Sequence, residues 1–204
     1  MLPSLDNRIL SVINDKSTFG IILERKDEFS RNRVATIDKK FSELTFCTLT
    51  ANTSAEMGLK NQKLLDGLKK FDERSLRRVL LESRYRFPNT RARFISQNFK
   101  KRHLLERILE SSERRDLLVE TYMGIGMKEA SHFLRNVGYF DYPILDKHIQ
   151  RFLSNYFGRE IEVKSKKDYE REEKLFLEIS SKYSLEPGIM DLVIWYLMTG
   201  RILK

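Results

Sequence analysis

The sequence predicts an all-α protein. Apolar residues recur at helical rather than alternating spacing almost throughout the 204 residues. Glycine, proline and aspartate punctuate these stripes where helices begin and end. Alternation is confined to Ile161-Glu162-Val163-Lys164, too short for more than a connector or an edge strand. A chain of this length buries a respectable core, as one compact unit or as two small lobes.

The stripes follow in order along the chain. Leu5, Ile9, Val12 and Ile13 form the first, and Phe41, Leu44, Thr48 and Leu49 the second. Leu64, Leu65 and Leu68 make a third; Leu76, Val79 and Leu80 make a fourth. Pro88 suits the first turn of the next helix, where a missing amide donor costs nothing. Phe94, Ile95 and Phe99 then face inward, followed by Leu104, Leu105 and Ile108. Leu117, Leu118 and Tyr122 lead to Gly124-Ile125-Gly126, and Ala130, Phe133, Leu134 and Val137 continue beyond it until Gly138 stops the helix in the left-handed conformation. Asp146 is a good N-cap for a helix carrying Ile149, Phe152, Leu153 and Tyr156, which Gly158 ends. Helices near 168–183 and 187–198 complete the chain. The mixed charges from Lys164 to Lys174 predict a solvated turn and helix face.

Composition narrows the partners. Thirty-eight Lys and Arg against 29 Asp and Glu leave a formal charge of +9, which favours polyanions. Arg84, Arg86, Arg91, Arg93, Lys100, Lys101, Arg102 and Arg107 face one acid, Glu106, across 84–107. Interleaved with Tyr85, Phe87, Phe94 and Phe99, they predict a phosphate-binding face backed by aromatics. No run approaches the roughly 18–20 apolar residues of a spanning helix, so no membrane partner is expected. The opening Met-Leu-Pro-Ser-Leu-Asp-Asn-Arg lacks the pattern of a secretory signal. Cys47 is the only cysteine, which excludes an intramolecular disulfide and a four-cysteine metal cluster. It reads as a core residue, and with three scattered histidines no metal site and no cofactor is expected.

Chemistry concentrates in Gly124-Ile125-Gly126-Met127-Lys128-Glu129-Ala130. The glycines allow a tight turn and close backbone approach, and amides at the start of the next helix can point at a phosphate. Lys128 falls in that helix's first turn, where the dipole disfavours a cation. An amine partly buried there would lose basicity and become a nucleophile. Asp146, held ionised and oriented by backbone donors, supplies a carboxylate. One amine and one carboxylate are the minimum equipment for attack at a sugar anomeric carbon. Taken alone, each also reads as a solvated lysine and a plain helix cap.

The stretch Gly124 to Leu134, with Ile144-Leu145-Asp146-Lys147-His148-Ile149, resembles the helix–hairpin–helix superfamily of DNA glycosylases that carries a Gly/Pro-rich loop and a catalytic Asp. More narrowly it is similar to the archaeal-type 8-oxoguanine DNA glycosylase/AP lyases. The likeness extends to Glu43 through Asn52, Tyr85-Arg86-Phe87, Ile194-Trp195-Tyr196 and Lys204. Met123 departs from it, standing where many superfamily members carry Pro or Lys.

The resemblance implies two helical lobes with the active site in the cleft between them. The lobes are expected at 45–143, carrying the hairpin, and at 1–44 with 144–204, formed by both termini. It implies Lys128 as Schiff-base lysine and Asp146 as catalytic aspartate. Trp195 would stack on an extruded base, Phe87 would form a second wall, and Lys204 would help to recognise the oxidised base. Gly124, Gly126, Arg84, Arg86, Arg91 and His148 are the expected DNA contacts; His132 is expected to pack. The implied activity is removal of 8-oxoguanine and β-elimination at the abasic site, in a cytoplasmic, nucleoid-associated monomer acting on duplex DNA. Three other readings share parts of the pattern: a non-enzymatic helix–hairpin–helix binding module, a helical adaptor for an acidic protein, and a glycosylase for a different oxidised base.

Overall fold

Helix ends, more than helix interiors, show why this sequence folds as it does. In the computed structural model, which describes residues 4–202, twelve α-helices and one short 3-10 turn occur among the described residues, with no strand. Ser4, Thr36, Ser54 and Asp72 each accept a backbone amide at the start of α1 (Leu5–Asn14), α3 (Ile37–Thr50), α4 (Ala55–Asp66) and α5 (Glu73–Glu82). Asp15 closes α1 and opens α2 (Lys16–Asn32), accepting from Ser17 and Thr18. Pro88 and Pro187 occupy the first turns of α6 (Pro88–Lys100) and α12 (Pro187–Thr199). Between them run α7 (Leu105–Glu110), α8 (Arg114–Thr121), α9 (Met127–Asn136), α10 (Lys147–Phe157) and α11 (Lys166–Lys182). Gly158 and Gly200 end α10 and α12 in the left-handed conformation.

The chain divides into two units, Met1–Arg31 with Leu134–Lys204, and Asn32–Phe133. The boundaries fall inside α2 and α9, whereas the sequence placed them near 44/45 and 143/144. Helix α3 stays whole within the central unit because Lys40 to Leu49 are buried along its entire girth, packed against α4, α6 and α7. Gly58 makes that packing close: a Cβ there would lie 2.5 Å from Thr50 Cγ2. Cys47 is fully buried in this core. In the terminal unit α12 is the axle, packed by α1, α10 and α11, with Gly188 through Ile194 buried.

The structure adds one helix, decides one alternative and changes one expectation. Helix α2 was not foreseen, because it buries only Ile22, Phe29 and Asn32 and leaves Ile21 and Leu23 on the surface. Residues 161–164 form a connector, the first of the two outcomes the alternation allows. The charged run 164–174 is not wholly solvated: Glu172 is buried, and Arg159 and Arg171 neutralise it from either side.

Both termini belong to one unit for an electrostatic as well as an apolar reason. Asp6 of α1 accepts from Tyr156 Oη at 2.7 Å, from Lys182 Nζ at 2.8 Å and from Tyr183. Lys182, then Tyr183 and Tyr156, hold its carboxyl well below the usual 3.8, at about 2. The folded-state pKa is depressed, so the stabilisation is fully present above pH 3.8 and is lost as pH falls through about 2. Asp6→Asn should lower the melting temperature at neutral pH, and the gap from wild type should close as pH approaches 2. Thermal melts from pH 2 to pH 7 check this; a gap independent of pH would rule it out.

Candidate active site

The hairpin is gripped from behind by α6. Buried Asn98 donates to the Met123 carbonyl at 3.0 Å and accepts from the Met123 amide at 2.8 Å, a reciprocal pair that fixes the chain entering the turn. Lys101 Nζ reaches the Thr121 carbonyl at 3.0 Å, and buried Tyr122 donates back to the Lys101 carbonyl at 3.1 Å. Met123 therefore serves through its backbone, which explains why a side chain other than Pro or Lys is accommodated there. Gly124 has φ +74°, and a Cβ on it would fall 2.4 Å from the Phe94 ring. Both facts require glycine. Gly126 is needed less, since its Cβ would meet only Glu129 Oε2 at 3.2 Å.

Lys128 stands in the first turn of α9, as expected, with 32 % of its side chain exposed. Its amine is ion-paired with Glu129 Oε1 at 2.9 Å. The other oxygen of Glu129 accepts from the Gly126 amide at 3.3 Å. Glu129 was not singled out in the sequence, although an acid in a helix's first turn is a legible signal, because it can reach back to the unpaired amides.

Asp146 caps α10 as foreseen. One carboxylate oxygen accepts from the amides of His148 at 2.8 Å and Ile149 at 2.9 Å. The His148 ring stands edge-on to Trp195, with centroids 4.8 Å apart and planes at 81°. Trp195 is half-buried. One turn earlier on α12, Asp191 is buried and ion-paired with buried Arg135. Burial, with a contribution from the charge of Asp146, pushes the Asp191 carboxyl up to about 7 against the pull of Arg135. Asp191 was also passed over, although a lone carboxylate inside Ile189-Met190-Asp191-Leu192-Val193-Ile194 signals a buried partner.

The basic stretch divides into two roles. Arg84, Arg86 and Arg93 are exposed, Arg84 in the left-handed conformation that ends α5. Arg86 lies over the Phe87 ring, 4.9 Å from its centroid, and Phe87 is half-buried at the start of α6. Arg91 instead turns inward. It is 7 % exposed, and its guanidinium donates to the Ala51 carbonyl at 2.8 Å, closing the end of α3. Tyr85 does the same for Leu49 at 2.6 Å. Arg102 is shared between Asp38 and the Phe99 ring. His132 packs edge-on against Phe46. Lys204 lies outside the described residues.

A family described as "8-oxoguanine DNA glycosylase" matches residues 22–185. A Picrophilus torridus protein named 8-oxoguanine DNA glycosylase/AP lyase is 43% identical over 205 residues, covering 98% of this chain and 97% of its own. Its Thermoplasma acidophilum counterpart is 42% identical, covering 94% and 96%. Among solved structures, the Methanocaldococcus jannaschii 8-oxoguanine glycosylase/lyase in complex with a 15-mer DNA containing 8-oxoguanine is 35% identical. It superposes with a TM-score of 0.90 over 97% of this chain and 98% of that one. The 8-oxoguanine DNA glycosylase of Thermotoga maritima is 34% identical, with a TM-score of 0.89 over 97% of both chains.

The geometry separates the two hairpin glycines and assigns Arg91 a structural task. Gly124→Ala should destabilise the protein by about 1–3 kcal/mol through overpacking against Phe94, with left-handed strain of roughly 1–2 kcal/mol added. Gly126→Ala should cost visibly less. Arg91→Ala should cost about 1–3 kcal/mol, because the buried Ala51 carbonyl loses its partner. Denaturant unfolding of the three variants provides the comparison; equal stability of the two glycine variants would contradict the packing argument.

Proposed function

The chain belongs to the archaeal-type 8-oxoguanine DNA glycosylase/AP lyases, enzymes of base-excision repair, and from that membership we propose that Lys128 and Asp146 are the residues that excise 8-oxoguanine and cleave the strand. The observation that carries this reading is an amine placed in the first turn after the hairpin and tethered by Glu129. Supporting it is a carboxylate whose orientation two backbone amides fix.

The substrate is duplex DNA containing 8-oxoguanine or an abasic site. The exposed Arg84 and Arg86 and the hairpin amides beside Gly124 and Gly126 contact phosphates, which position the duplex without reading its sequence. His148 adds a phosphate contact from the first turn of α10. The damaged nucleotide leaves the stack, and its base lies against Trp195, with Phe87 as a second wall. Lys204 contributes to recognition of the oxidised base, on the strength of the family resemblance.

Chemistry begins when Lys128, having shed its proton, attacks the sugar C1′. A C1′–N bond to the amine forms, the glycosidic bond to the base breaks, and the departing base takes up a proton. Asp146 stabilises the oxocarbenium-like charge that develops at the sugar. Cleavage of the C1′–O4′ bond, with O4′ taking up a proton, opens the sugar ring and leaves a Schiff base at C1′. The Schiff base acidifies a C2′ proton; its loss expels the 3′ phosphate oxygen, nicking the strand by β-elimination.

Borohydride trapping on duplex DNA with a single 8-oxoguanine tests the lysine. Wild type should give a covalent adduct and Lys128→Gln none, with DNA binding retained; an adduct with Lys128→Gln would transfer the role to another amine. Asparagine caps helices as well as aspartate, so Asp146→Asn removes charge and keeps α10. It should slow base removal by on the order of 100-fold while leaving some cleavage of preformed abasic sites. Arg86→Ala should weaken binding and reduce the salt slope of affinity by about 1, as measured by titration at several salt concentrations.

A further inference from the structure

We propose that Asp191 is the positioning residue for the Asp146 carboxylate, held in register by Arg135 and bonded to the segment that delivers Asp146. The proposal rests on the catalytic reading of Asp146 and goes beyond it, since Asp191 itself makes no contact with substrate.

Burial is the first argument. Arg135 and Asp191 are 3 % and 4 % exposed, and removing two charges from water costs as much as their attraction returns unless the geometry is needed. An apolar pair of similar volume would hold α9 and α12 as firmly. What an ion pair adds is direction. Arg135 is fixed on its other sides by the Phe29 ring, 5.4 Å from the guanidinium, and by Gly188, where a Cβ would come within 3.2 Å of Arg135 Cγ.

The second argument is connectivity. The Ile144 amide donates to Asp191, and the Ile144 carbonyl accepts from the Asp146 amide at 2.8 Å. One residue, Ile144, thus links the buried carboxylate to the reactive residue's own backbone. The rest of the segment is tied as well. Tyr169 donates to the Pro143 carbonyl at 2.8 Å and accepts from the Leu145 amide at 3.1 Å. Gly188 donates to the Phe140 carbonyl at 2.8 Å.

The third argument is that one helix carries two functional positions. Trp195 follows Asp191 by one turn, and its ring meets His148, whose amide bonds the Asp146 carboxylate. A displacement at Asp191 therefore reaches Asp146 through Ile144 and through α12. The charged groups that face Asp191 are Arg135 from α9 and Asp146 from the start of α10.

Single-turnover base excision by Asp191→Asn at neutral pH tests the proposal. The rate should fall roughly 10- to 100-fold, and DNA affinity should stay at the wild-type value. Trapping on preformed abasic sites should suffer less than excision. A wild-type rate, or an equal loss of excision, abasic-site trapping and DNA affinity, would overturn the positioning role. Arg135→Lys keeps the charge and loses the planar fork, and provides the test should Asp191→Asn not fold. It should slow excision more than trapping on preformed abasic sites, and an unchanged rate would overturn the proposal. Asp146→Asn, run in parallel, separates the two failures. If it too excises at the wild-type rate, the catalytic reading falls and the positioning role with it. If it is slow while Asp191→Asn is normal, only the positioning role is lost.

Discussion

Every α-helix leaves amides unpaired at its start and carbonyls unpaired at its end, and in a chain built almost wholly from short helices that constraint recurs at each junction. Serine, threonine and aspartate caps answer it at the surface. In the interior the answers come from farther along the chain: Arg91 to the Ala51 carbonyl, Tyr85 to Leu49, Asn98 to both backbone groups of Met123. The candidate chemistry sits at the same places. Asp146 is a helix cap, Lys128 stands in a first turn, and Glu129 satisfies the Gly126 amide while holding the lysine. A helix start concentrates donors and partial positive charge, which suits it to orient a carboxylate or receive a phosphate.

The buried charges follow a different logic. Glu172 has Arg159 and Arg171, Lys40 has Glu106, and Asp191 has Arg135. Each pair avoids the cost of an isolated ion in a dry setting, so each specifies a geometry more than it adds stability. Surface arginines obey neither constraint. Arg84, Arg86 and Arg93 carry their charge into solvent, where a polyanion can relieve their mutual repulsion.

Local signals were legible in the sequence. The caps at Asp146 and Gly158, the Pro88 start and the Gly124 turn all appear where residue chemistry places them, because each depends on neighbours within one helical turn. Helix α2 was illegible for the complementary reason. Ile22 and Phe29 share a helix face, but charged Arg25 and Lys26 stand between them on it, and apolar Ile21 and Leu23 face outward. Arg91 shows the same limit among charges, since nothing in its neighbours distinguishes an arginine turned inward from one turned toward solvent.

The sequence by itself determined the helical class, the turn at Gly124, the lysine after it and the capping aspartate, since short-range backbone sterics and hydrogen bonding decide these. Only the tertiary structure decided which charges are buried and what they hold: Arg91 on Ala51, Glu129 on Lys128, Arg135 on Asp191. Burial depends on which remote helix packs overhead, and desolvation makes a charge in that position seek a partner it would not need in water.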